Sequence, residues 1–209
     1  MGGGSTSRAG EEANRMEQQR QAAIKGTQAR VNQVFNSPER AGDISNFVGA
    51  MRDFYQRDLD RQKLDTDRQL RFAMARGGLM GGSVNRDTQK EFGEQYGRGL
   101  LDVERRALGA GAELEAADQD ARARLISLAT SGLDATTAAS QAAAALRTNL
   151  AAGKSAAQAG GLGDAFGSLS QFIKDSREAS EKRRGIEAAY GPGGLYNTAQ
   201  FYNYGGGKP

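Results

Sequence analysis

Residues able to carry chemistry are few in this chain. It holds no His and no Cys, so the commonest general base, the thiolate nucleophile and most zinc or iron ligand sets are missing. Carboxylates remain, and these can bind a hard cation or move protons. Yet nearly every Asp and Glu has an Arg or Lys at helical spacing. Asp53–Arg57, Lys63–Asp67, Asp67–Arg71, Glu94–Arg98, Asp102–Arg106, Asp118–Arg122 and Asp120–Arg124 are all four apart, the pattern of a solvated helix face. No phosphate-cradling loop, dinucleotide fingerprint or Ser nucleophile elbow occurs. The expectation is a non-enzymatic protein with no catalytic, cofactor-binding or metal-binding residues.

The cations offer little more. Formal net charge is +3, with Lys and Arg alternating with Asp and Glu. A phosphate-tracking protein gathers its cations on one face. The nearest approach here is Lys182-Arg183-Arg184, which reads more simply as complementing the negative end of a helix. Sequence-specific nucleic-acid binding is not expected. Without Cys there is no disulfide framework. Met1 is followed by Gly and Ser rather than by a basic and then an apolar region, so no signal peptide is expected. No run of roughly twenty apolar residues suggests a membrane-spanning helix.

What positions these residues is helix. The prolines are Pro38, Pro192 and Pro209, so nothing between Glu39 and Gly191 forbids a helix. After a flexible arm over 1–10, a first helix is expected over 11–36, with a narrow seam of Ile24, Val31, Val34 and Phe35. Ser37-Pro38 signals a restart, a cap followed by Pro at the first helical position. The second helix, 38–76, carries the densest apolar cluster: Ile44, Phe47, Val48, Met51, Phe54, Tyr55 and Leu59 at spacings of three and four. Gly77-Gly78 and Gly81-Gly82 bracket a turn, and Ser83 can cap a third helix over 84–130. Its seam reads as Phe92, Tyr96, Leu100, Val103, Leu114, Leu125 and Leu128, with Gly109 and Gly111 marking a bend. The second and third helices form an antiparallel hairpin. Ile44, Phe47, Val48, Met51, Phe54, Tyr55, Phe92 and Tyr96 then make up a packing or oligomer face.

Residues 132–190 form an Ala/Gly-rich helical region. From Ala135 to Ile173 the only charged residues are Arg147, Lys154 and Asp164. Ala-rich surfaces let helices approach closely. The segment is therefore either a tightly packed helix pair, the reading the residues favour, or a weakly polar helix that enters a bilayer as part of a multi-chain ring. Residues 191–209 are an aromatic, Gly-rich tail. Tyr196, Phe201, Tyr202 and Tyr204 are its candidate docking anchors for a partner surface.

With 38% hydrophobic residues and a mean hydropathy of −0.64, a thick private core is unexpected. The fold class is thus all-α: an elongated long-helix hairpin with Ala/Gly-rich helices and flexible termini, oligomeric in its working state.

One pattern, from Val31 to Ala107, goes further. An aromatic pair in a charged helix, Phe54-Tyr55, is followed by Leu70-Arg71-Phe72-Ala73-Met74-Ala75-Arg76-Gly77. A small-residue turn comes next, Gly82-Ser83-Val84, then a helix carrying Tyr96, and beyond Ser131 a weakly polar Ala/Gly-rich region. This resembles the small internal virion proteins of short-tailed bacteriophages, the ejection or DNA-transfer proteins. The resemblance implies packaging inside the capsid near the portal and expulsion ahead of the genome. It also implies assembly with copies of itself, larger ejection proteins and portal or tail proteins into a conduit at the host outer membrane, without any cofactor. Two rivals stand beside it: a permanent head-to-tail connector or portal-associated virion protein, and a cellular coiled-coil scaffold or peripheral membrane binder.

Overall fold

Ser37 and Pro38 set the first boundary by local chemistry. Pro has no N–H to leave unsatisfied at a helix start, and the Ser37 hydroxyl accepts from the Arg40 N–H at 3.2 Å. A computed structural model describes residues 4–190, with side chains over 10–188. It shows five helices, α1 (Gly4–Phe35), α2 (Pro38–Gly77), α3 (Ser83–Thr130), α4 (Ala135–Gly160) and α5 (Gly167–Tyr190), and no strand among the described residues. Helix α1 begins at Gly4 rather than Glu11, so residues 4–10 are helical where a flexible arm was expected. No Pro interrupts that segment, and a helix already nucleated further on extends through it. The aromatic anchors Tyr196, Phe201, Tyr202 and Tyr204 lie outside the described residues.

The chain forms two units. The first takes residues 1–57 and 102–162, the second 58–101 and 163–209. In the first, α1 packs on α4. Val31, Leu125, Ala138 and Ala142 form the buried centre of that contact, flanked by Val34, Phe35, Ile126 and Leu133. Phe47, Met51, Tyr55, Val103, Ala107, Leu114 and Leu162 are also buried in this unit. In the second, Leu59, Leu70, Ala73, Met74, Phe92, Phe166, Leu169 and Ile173 are buried. Phe92 of α3 stacks on Phe166 just before α5, with ring centroids 5.2 Å apart.

Helices α2 and α3 are antiparallel in both units, as the pairings show. Arg40 meets Asp118 and Arg52 meets Glu104 in the first unit, and Asp60 meets Tyr96 in the second. The turn joining them closes as expected. Gly78 takes φ +69°, which favours glycine, and the Leu79 N–H donates back to the Met74 carbonyl at 2.9 Å.

The buried stripe of α3 differs from the expected seam. It runs through Thr88, Phe92, Gln95, Gly99, Val103, Ala107, Gly111, Leu114, Asp118, Leu125 and Ala129, spaced three, four or seven apart. Leu100 and Leu128, placed on that seam by size alone, are exposed. Gly111 is a point of close approach. A Cβ there would come within 2.6 Å of Val48 Cγ2, and one on Gly99 would lie 2.6 Å from Leu59 Cδ1. Leu59 is fully buried, so its side chain can shift only by displacing its neighbours. Gly109, by contrast, has nothing within 4 Å of its would-be Cβ. Two substitutions of the same chemistry should therefore have opposite signs. Gly109→Ala should raise the thermal midpoint, gaining up to about 1 kcal/mol of helix propensity. Gly99→Ala should lower it, overpacking costing about 1–3 kcal/mol. Thermal unfolding followed by circular dichroism reads both.

Candidate functional site

Position 118 follows Leu114 by one turn and precedes Leu125 by two, so the stripe of α3 carries Asp118 into the first unit's interior, where it is 6% exposed. Arg40, one turn before Ile44 on α2, is 3% exposed. The two meet in a bidentate pair. Arg40 Nε donates to Asp118 Oδ2 at 2.7 Å, and Nη2 to Oδ1 at 3.0 Å. Asn149 Nδ2, from α4, donates to Asp118 Oδ1 at 3.0 Å. One carboxylate thereby ties together α2, α3 and α4. The expected Asp118–Arg122 surface pair is absent because Asp118 faces inward. Arg122 instead donates to Asn32 Oδ1 of α1 at 2.8 Å.

Other polar contacts reinforce the same unit. Arg52 and Glu104 form a second bidentate pair, at 2.5 and 2.6 Å, across α2 and α3. Hydrogen bonding from Arg52 holds the Glu104 carboxyl below its ordinary range. At Asp102, burial pushes the carboxyl up, but hydrogen bonds from Arg106 and Arg105 outweigh it and leave it lowered. Arg106 also donates to the Gly161 carbonyl at 2.7 Å. Tyr55 donates its hydroxyl to the Ala157 carbonyl at 2.9 Å, and burial pushes its phenol up.

The expected packing face is divided between two interiors. Phe47, Met51 and Tyr55 are buried in the first unit, with Ile44, Val48 and Phe54 half-buried there. Phe92 is buried in the second, and Tyr96 is half-buried under Lys63, whose ammonium sits 4.0 Å from the ring centroid. Tyr96 donates to Asp60 Oδ1 at 2.9 Å, the bond that raises its phenol. These side chains pack within the chain, and what they can do is hold helices together.

Of the expected surface pairs, Asp67–Arg71, Glu94–Arg98 and Asp102–Arg106 form, at 3.0, 3.7 and 2.8 Å. Arg57 donates to the backbone carbonyl of Asp53 instead of its carboxylate. Among the described residues no group of three or more metal-ligating side chains is gathered, and no helix is long and apolar enough to cross a membrane. The large apolar residues late in the Ala/Gly-rich region, Leu162, Phe166, Leu169 and Ile173, are used inside the fold. No family model, curated protein or solved structure matches the chain.

Breaking the buried pair by one partner strands the other charge in the interior. Arg40→Met or Asp118→Leu alone should cost about 3–5 kcal/mol, whereas the double variant should regain most of that loss. Chemical denaturation of the four proteins completes the cycle, and additive losses would show the pair to be uncoupled.

Proposed function

We propose that this chain is a small internal virion protein of a short-tailed bacteriophage, released with the genome to help form a conduit through the host cell envelope. In this reading it sits inside the capsid near the portal and leaves through the tail. It then works as an oligomer with larger ejection proteins at the host outer membrane, in a structural rather than catalytic role.

Two things support the reading: the resemblance of Val31–Ala107 to such proteins, and the way the two interiors are built. Of these the second carries more physical weight. The helices come close at Gly99, Gly111, Ala107, Ala138 and Ala142, with one layer of larger side chains such as Met51, Leu59 and Leu114 between these points. A helix keeps its hydrogen bonds within itself and is about 10–12 Å across. Drawing such helices apart breaks side-chain contacts and leaves backbone pairing intact, so the chain can string out through a narrow channel and regain local contacts afterwards.

One observation favours a second reading, a permanent head-to-tail connector or portal-associated protein. The Arg40–Asp118–Asn149 cluster fixes three helices in one register, which suits a part that stays folded in place. Quantitative mass spectrometry of full and emptied particles separates the two. The proposal expects the protein in full particles and its loss on DNA release. Retention would favour the connector, and absence from both would end the virion reading.

A further inference from the structure

The tip of the α2–α3 hairpin, in the second unit, presents large apolar side chains to solvent. Phe72 is 62% exposed, Met80 57% and Val84 42%. Leu79 is half-buried between them. In the turn Gly78 and Gly82 take positive φ, +69° and +98°, which favours glycine at both positions. Apolar residues scattered singly need no explanation, but three exposed ones at the ends of one turn invite one.

Between Asp67 and Asp87 the charges have one sign. From Arg68 to Arg86 the chain carries Arg68, Arg71, Arg76 and Arg86 and no acidic residue. Arg68 and Arg71 lean back towards Asp65 and Asp67. Arg76 donates only to the Phe72 carbonyl, and Arg86 has no ion-pair partner among the described residues. Asp87, just past Arg86, is the nearest acidic neighbour in sequence.

Helix α5 adds to the same end. The Ser168 hydroxyl sits beside Gln95 and Glu91 of α3, and Ser176 donates to the Ala73 carbonyl of α2 at 3.4 Å. Helix α5 therefore advances towards the turn. At about 1.5 Å of rise per residue it passes the end of α2 near Ser180, and residues 181–188 are exposed throughout. This overhang carries Ile186, 61% exposed, with Lys182 and Arg183 one turn before it on the same side. Glu181 and Glu187 offset two of the three cations Lys182, Arg183 and Arg184, leaving the overhang at a net charge of +1.

We propose that this turn is a docking site for an anionic bilayer surface: Phe72, Met80 and Val84 enter the headgroup boundary while Arg76 and Arg86 meet lipid phosphates. Arg suits that place, since its stem lies along apolar surface while the guanidinium reaches polar groups. A second copy of the same tip would bring like charges together. A nucleic-acid backbone would use the cations but leave the apolar side chains without a role. The inference rests on exposed residues and stands or falls separately from the virion reading.

Flotation of the full chain with phosphatidylcholine vesicles, with and without phosphatidylglycerol, tests it. The protein should float with the anionic vesicles, less so as salt rises. Arg76→Gln/Arg86→Gln should weaken the partition constant roughly 30-fold, about fivefold for each charge. Phe72→Ser/Met80→Ser should abolish flotation with helical content unchanged. Because the chain has no Trp, Met80→Trp supplies a single reporter whose emission should shift to the blue on vesicle addition, while Leu128→Trp on α3 should not respond. Failure of the wild-type chain to float, equal flotation of the tip variants, a shift at position 128 in place of 80, or binding to duplex DNA but not to vesicles would each overturn the proposal.

Discussion

Helix α2 lies against α3 where glycine removes the side chain between them. At Gly99 and Gly111 the space a methyl group would need is already filled, by Leu59 in one unit and Val48 in the other. Much else follows from that close approach. At these points the seam alternates glycine, and Ala at 73, 107, 129, 138 and 142, with larger side chains such as Met51, Leu59 and Leu114. Such seams remove little apolar surface from water per residue. They leave polar contacts a larger share of the work of specifying how the helices pair, because small side chains alone do not distinguish one register from the next.

That share is visible in the first unit. A slip of α2 along α3 by one turn would move Leu59 and Val48 off Gly99 and Gly111, strand Arg40 and Asp118 and separate Arg52 from Glu104. The buried pair is costly to desolvate, and its value is as a register pin more than as net stability. Asn149 extends the pin to α4, and Asn32 extends the network to α1 through Arg122. The second unit relies more on aromatic stacking, Phe92 on Phe166, and on Tyr96 held between Lys63 and Asp60. Its hairpin tip has no such partners, and there apolar residues face outward beside unopposed arginines.

The features legible in the sequence are those set by near neighbours. Ser37-Pro38, the glycine turn after Arg76 and the helical periodicity of Ile44 to Leu59 each act within a few residues, and each element lies where that chemistry puts it. The Arg40–Asp118 pair is not legible in the sequence because its partners are 78 residues apart, and because Asp118 has Arg122 one turn on, a pairing that looks complete locally. The available signal was the position of Asp118 on the apolar stripe between Leu114 and Leu125. Leu100 and Leu128 show the converse: large size suggests burial, while the buried stripe runs one residue away, through Gly99 and Ala129. Glycine within a helix reads as weakness or a bend until its neighbour across the helix pair is known, as Gly111 illustrates.

Thin seams and local hydrogen bonding imply a protein that is well ordered yet weakly held, which is the property the proposed role requires. Native-state hydrogen exchange on the purified full chain measures this most directly, since its slowest amides report the highest opening free energy whether or not the two units open together. Protection factors reaching only about ten-thousandfold, equivalent to roughly 5 kcal/mol and the low edge for natural domains, are the expected result. Amides along α2 and α3 protected by about a millionfold or more would contradict the account.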